Sequence, residues 1–188
     1  MEKMASLTPP VCDFGWQAPY FKLPGVDGRD WTLDDAKGEN GLLVMFICNH
    51  CPYVQSIRQR LVEDIAKLKT LGINAIAISS NDAVSYPQDS FEQMKQIAET
   101  FNFNFPYVYD ESQAVARAYG AVCTPDFFGF NAMLELQYRG RFDDQGRDLT
   151  PKPKATKDLL DAMTQVAKTG RGPSHQISSI GCSIKWKD

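Results

Sequence analysis

The chain has 188 residues, about the size of one domain, with 20 basic against 23 acidic side chains and a net charge of −3, so it carries no positive field to neutralise phosphates and nucleic acid is excluded as an expected partner. Hydrophobic residues at 43% and charged residues at 23% match globular domains and exclude a disordered chain. No apolar run approaches the ~20 residues of a membrane span, and the first dozen residues lack the roughly 7–15-residue apolar core of a secretory signal, so the expectation is a cytoplasmic protein with no membrane partner.

Residues 42–47 (LLVMFI) are too few for a helix and rich in branched and large side chains, which suits a central strand buried on both faces. Val54, Ile57, Leu61, Ile65 and Leu68 then recur at steps of three and four, with Pro52 at the first turn and Gly72 beyond the end, predicting one helix of about five turns. Ile73 to Ile78 reads as a second buried strand. Ser90 with Gln93 has capping-box spacing ahead of a helix whose face carries Phe91, Met94, Ile97 and Phe101. Phe105 to Tyr109 is a short aromatic strand, and Asp110 with Gln113 can cap a two-turn helix ending at Gly120. Beyond Pro125, the run Phe127, Phe128, Phe130 and the alternation of Leu134, Leu136 and Tyr138 with Glu135, Gln137 and Arg139 predict two strands too close to be parallel. A last helix spans about 156–168. In the tail, Ile180, Cys182, Ile184 and Trp186 alternate with polar or small residues, predicting an extended segment at 180–186 docked by that face. The expected class is α/β, with a mixed central sheet and helices on both faces.

Five cysteines, at 12, 48, 51, 123 and 182, are odd in number and hold one close pair, unlike a disulfide-stapled secreted framework. That pair, Cys48-Asn49-His50-Cys51-Pro52, falls between the end of the central strand and the start of the first long helix, where unpaired N–H groups and the helix dipole favour a thiolate. Cys48 is therefore expected to be the nucleophile with a depressed pKa, and Cys51 the thiol that resolves what Cys48 attacks. His50 is either a charge that lowers the Cys48 pKa further or a solvated turn residue. Zinc is disfavoured because no second CxxC or HxxxH accompanies the pair; no metal and no cofactor are expected. Thr124-Pro125 falls at the same rim. A cis bond there would present backbone groups to an extended substrate, although cis bonds are only about 5–6% of X–Pro bonds. The polar loop Ser79-Ser80-Asn81-Asp82 should border the same crevice. Cys182 reads as a small buried thiol, with a third redox cysteine as the alternative.

A strand ending in CxxC, a helix, a later proline, a β-hairpin and a terminal helix resemble the thioredoxin superfamily over about residues 14–168. The stretch APYFKLPGVDGRDWTLDD and the inserted βα unit at 73–103 are similar to the alkyl hydroperoxide reductase/thiol-specific antioxidant branch. CNHCPYV, TPDFF, YRGRFDD and GCSIKWK resemble peroxiredoxin-like thioredoxin-fold proteins. The resemblance implies a thioredoxin-like fold with an N-terminal hairpin and a cis-Pro125. Departures matter. Where peroxiredoxins place a pocket-forming threonine and proline, this chain has Cys48 and Val44 if Cys51 is aligned, or Met45 and Gly41 if Cys48 is aligned. The buried aspartate of thioredoxins is Leu42.

The sequence thus predicts an N-terminal arm (1–13), a thioredoxin-like domain (14–168) and a C-terminal tail (169–188). Its leading functional reading is a thiol–disulfide oxidoreductase acting on a protein or small-molecule disulfide or dithiol, with an external thiol reductant. A thiol peroxidase acting on peroxide and a non-catalytic binding module are the alternatives. Oligomeric state has no signature in the sequence.

Overall fold

The computed structural model describes residues 5–188; residues 1–4 of the expected N-terminal arm lie outside the described residues. Its centre is a five-stranded sheet in the order β6-β5-β4-β8-β9, formed by β4 (Gly41–Phe46), β5 (Ile73–Ser79), β6 (Tyr107–Tyr109), β8 (Asp126–Asn131) and β9 (Leu136–Tyr138). β4, β5 and β6 run parallel, while β8 and β9 return antiparallel beside β4. Period two divides β4 between two cores. Leu43 and Met45 pack with α3 (Arg58–Thr70), α4 (Phe91–Thr100) and α6 (Asp158–Thr169), whereas Leu42, Val44 and Phe46 pack with the hairpin β2 (Lys22–Pro24) and β3 (Asp30–Thr32) and with α1 (Leu33–Ala36) and α5 (Ala114–Tyr119). The mixed α/β sandwich of the sequence reading is present, with the Thr124–Pro125 bond cis.

Several boundaries differ from the sequence reading for identifiable reasons. The five-turn helix is two segments, α2 (Pro52–Gln55) and α3, because the Ser56 hydroxyl donates back to the Tyr53 carbonyl at 3.1 Å and competes with helix propagation. Asp110 caps α5 from outside, its carboxylate accepting the Ala116 N–H at 2.9 Å, while Gln113 holds the N-cap position in the left-handed region. Leu134 lies at φ 58 in the turn before β9, not on the strand. The polar members of that alternation, Gln137 and Arg139, are buried as well: Gln137 Oε1 accepts the Gly172 N–H and Arg139 pairs with buried Asp126 at 3.0 Å.

A second, three-stranded sheet builds the rim. β10 (Gly181–Ser183) lies between β1 (Ser6–Leu7) and β7 (Cys123–Thr124), antiparallel to both, with Cys182 opposite Thr124. Within this segment Cys182 and Ile184 are buried, but Ile180 is 50% exposed and Trp186 38% exposed, so the apolar alternation does not define one buried face. Trp186 instead lies beneath the Arg117 guanidinium, 4.4 Å from its centre. Among the described residues no helix is long and apolar enough to cross a membrane.

Candidate active site

Cys48 follows the end of β4, and Cys51 is the N-cap of α2, whose first residue Pro52 lacks an N–H where none is needed. Both thiols are buried, and the residual exposure, 2%, belongs to Cys48. Cys48 Sγ lies 3.4 Å from the Thr124 hydroxyl, and Cys51 Sγ lies 3.2 Å from the Thr124 carbonyl oxygen and 3.0 Å from Cys182 Sγ. The structure therefore brings together Cys48, Cys51, Thr124 and Pro125, and adds a third sulfur.

The charge falls on the other member of the pair than the sequence reading assigned. Cys51 is pushed down to about 5 because the Cys48 S–H donates to it, with the Cys182 S–H, the Thr124 hydroxyl and the Cys182 backbone as further donors; burial opposes the shift. As a thiol it would donate to the Thr124 carbonyl or to Cys182 Sγ, one proton for one acceptor, whereas the anion accepts from the whole donor set. Cys48 rises well above the usual thiol range because its proton is held by Cys51, with burial and the Asp89 carboxylate adding to the effect. The depressed Cys48 pKa expected from the helix dipole is corrected accordingly: it is Cys51, the residue at the N-cap, that is held low.

His50 sits differently from the expectation too. Its Nδ1 is 2.5 Å from Asp89 Oδ2 and its ring stacks on Tyr86 at 5.7 Å, so hydrogen bonding to Asp89 raises its pKa and ties the imidazole to that carboxylate. Asp89 ends the short 3-10 turn Pro87–Asp89 and is fully buried; it also accepts the Asn49 N–H at 2.8 Å and the Asn81 side-chain N–H at 2.8 Å. Tyr107 donates to the Asn49 side-chain oxygen at 2.9 Å. This network fixes the Asn49–His50 turn. Asp89 was not foreseen, since the polar segment carrying it has no periodicity. Cys48, His50 and Asp89 do bring potential ligand atoms within 4.8 Å of one another, a cluster that no sequence spacing reveals.

The loop Ser79–Asp82 borders the site as expected and there anchors the tail. The Asp82 N–H donates to the Lys185 carbonyl at 2.8 Å, and Asn81 Oδ1 accepts the Lys185 N–H at 2.9 Å. The Thr124 edge, expected to pair with a substrate strand, is paired with Cys182. A cavity of about 330 Å³ opens next to Pro125, between Tyr53, Phe142, Arg147 and Ile180.

Sheet order, a pair of cysteines at the β4–α2 junction and a facing cis-proline define a protein of the thioredoxin fold. The AhpC/TSA family model matches residues 14–143, and the chain belongs to that family. An uncharacterized conserved protein from Geobacillus kaustophilus has 42% sequence identity and a TM-score of 0.91, with 98% of this chain and 97% of that chain covered. Peroxiredoxin Bcp of Escherichia coli is 27% identical over 112 residues, covering 60% of this chain and 67% of that protein. Peroxidoxin BcpB of Mycobacterium tuberculosis, at 14% identity, shares the fold with a TM-score of 0.62, covering 85% of this chain and 98% of that chain. The chain is a peroxiredoxin-like member of the thioredoxin superfamily.

Proposed function

We propose that the protein is a thiol–disulfide oxidoreductase whose redox couple is Cys48/Cys51. The observation that carries this reading is the arrangement of the pair: two buried cysteines at the β4–α2 junction, Cys48 Sγ 3.4 Å from the Thr124 hydroxyl and Cys51 Sγ 3.2 Å from the Thr124 carbonyl oxygen beside Pro125, with Cys51 held down to about 5. In the reductive direction Cys48 attacks a substrate disulfide once its proton has passed to Cys51, and Cys51 resolves the mixed disulfide. In the oxidative direction a substrate thiolate attacks Cys48 of the Cys48–Cys51 disulfide and expels Cys51. A second substrate thiolate then closes the substrate disulfide and releases Cys48. A thiolate of low pKa leaves faster and stabilises the reduced protein, so the chemistry favours this second direction. Substrates are protein or small-molecule dithiols and disulfides, and an external thiol couple resets the pair. Thr124 and Pro125 form the wall against which the exchanged sulfur sits, and His50 with Asp89 orders the intervening turn.

The depressed Cys51, which precedes Pro52 as a peroxidatic cysteine precedes its proline, together with the family's peroxiredoxin-named relatives, favours a second reading as a thiol peroxidase. Equimolar hydrogen peroxide or glutathione disulfide added to reduced protein separates the two. The oxidoreductase reading expects faster thiol loss with glutathione disulfide, an intramolecular Cys48–Cys51 bond in the parent chain and glutathione retained on Cys48 in Cys51→Ser. Faster loss with peroxide, beginning at Cys51, would replace it with the peroxidase reading.

A further inference from the structure

The tail presents a cysteine to the redox pair in the manner of a bound substrate. β10 adds to the free edge of β7 by antiparallel pairing, with Cys182 opposite Thr124, the residue preceding Pro125. An extended peptide captured at a sheet edge would adopt this arrangement. The contact is close along its length: the Ser179 hydroxyl donates to the Pro125 carbonyl at 2.9 Å, and a Cβ on Gly181 would run into the Thr124 carbonyl oxygen. Lys185, three residues on, is held by Asn81 and Asp82. So seated, Cys182 Sγ lies 3.0 Å from Cys51 Sγ, about 1 Å beyond a disulfide bond length.

We propose that Cys182 is a third redox thiol of this site, which takes the disulfide over from Cys48 by bonding to Cys51. The inference rests on the oxidoreductase reading above. The Cys182 thiolate attacks Cys51 Sγ of the Cys48–Cys51 disulfide; the Cys51–Cys182 bond forms, the Cys48–Cys51 bond breaks, and Cys48 leaves as a thiolate that takes up the proton Cys182 lost. One disulfide is exchanged for another, so no oxidant or reductant is consumed. Burial, the largest cause that holds Cys182 up, persists, but the Cys51 hydrogen bond and charge that add to it in the reduced protein vanish once Cys51 is in a disulfide, while Lys185 and Arg147 continue to favour the Cys182 anion. The exchange frees Cys48, the thiol that meets substrate, and ties the tail covalently across the site. In the resting state the tail is thus an internal competitor for the Thr124 edge.

The full-length Cys48→Ser protein tests this directly. Reduced protein is treated with glutathione disulfide, acid-quenched, alkylated with N-ethylmaleimide and mapped by peptide mass spectrometry. Attack by Cys51 releases one glutathione, and attack by Cys182 on the resulting mixed disulfide releases a second. The expected result is a Cys51–Cys182 crosslink with two of the four remaining thiols lost, Cys12 and Cys123 staying alkylatable. Glutathione retained on Cys51 with Cys182 alkylated would overturn the proposal. A time course on the parent chain guards against a variant that does not fold: the same mapping should find both Cys48–Cys51 and Cys51–Cys182 bonds. Finding the first without the second overturns this proposal alone. Finding neither overturns the oxidoreductase reading on which it rests.

Discussion

Replacing Gly181 by valine should uncover the dithiol. A Cβ at this position would collide with the Thr124 carbonyl oxygen, lie 2.5 Å from the Thr124 carbonyl carbon and 3.0 Å from Pro125 N; all three are backbone atoms that no rotamer change can move aside. β10 must therefore lift from β7. The apolar loss is chiefly Ile184, 97% buried by its 3% exposure and worth about 1.5–3 kcal/mol. The regained freedom of the tail offsets the lost hydrogen bonds in part, leaving a net cost of about 2 kcal/mol. For a chain of this size each 1 kcal/mol moves the midpoint by about 2–4 °C, so Tm should fall by about 4–8 °C. The same 2 kcal/mol sets how seldom the parent tail opens, since 1.4 kcal/mol is a factor of ten; alkylation of Cys48 and Cys51 by iodoacetamide should rise by about 30-fold in Gly181→Val. Peptide-resolved alkylation rates and thermal unfolding of the reduced proteins measure both. A lowered midpoint with unchanged alkylation of both cysteines would refute the assignment of the tail as their cover.

The pH dependence of stability should have a thiol signature under reducing conditions. Cys51, held at about 5 against an unfolded value of about 8.5, contributes stability that is fully present above 8.5 and lost as pH falls through 5. Cys48 and Cys123, both raised, contribute stability present below about 8.5 and lost above it; His50, raised by Asp89, works against the acid loss of Cys51 below about 6.5. Urea midpoints of Cys51→Ser should therefore depend less on pH than the parent's between 5 and 8.5, and equal slopes would contradict the Cys51 anion. Arg139→Leu strands buried Asp126 and should cost about 3–5 kcal/mol, largely recovered in the Asp126→Leu/Arg139→Leu double variant; a double variant no better than the single would refute the pairing. Asp89→Asn removes the partner that raises His50 and a charge that raises Cys48, so both pKa values should fall, as read by NMR of the imidazole and by thiolate absorbance.

The parts of this molecule visible in its sequence are those set by local pattern. The continuous apolar run at 42–47 and the second at 73–78 are strands because both faces of β4 and β5 are covered, which periodicity can express. The CxxC and Thr124-Pro125 were placed at one rim because strand polarity fixes which ends meet. What stayed hidden depends on distant segments converging. The proton distribution between Cys48 and Cys51 follows from their mutual hydrogen bond and burial, with further bias from Cys182, 131 positions from Cys51, and from Asp89 on a short 3-10 turn; no spacing rule connects them. The burial of Gln137 and Arg139 breaks the polar alternation of β9 because residues 172–176 lie over it, Gln176 accepting the Arg139 N–H at 2.8 Å. The tail itself alternates in the right period, yet its docking combines backbone pairing and the close approach at Gly181 with the burial of Cys182 and Ile184, while Ile180 and Trp186 stay partly exposed.

The most direct test of the redox assignment is the reduction potential of the Cys48/Cys51 couple, read by peptide mapping of full-length protein equilibrated across a series of glutathione redox buffers. The Cys51 thiolate, stabilised by Cys48, Cys182 and Thr124, predicts a reversible two-electron transition at a potential above the roughly −270 mV of thioredoxin. A transition below that value, or no reversible Cys48–Cys51 disulfide at any poise, would contradict it.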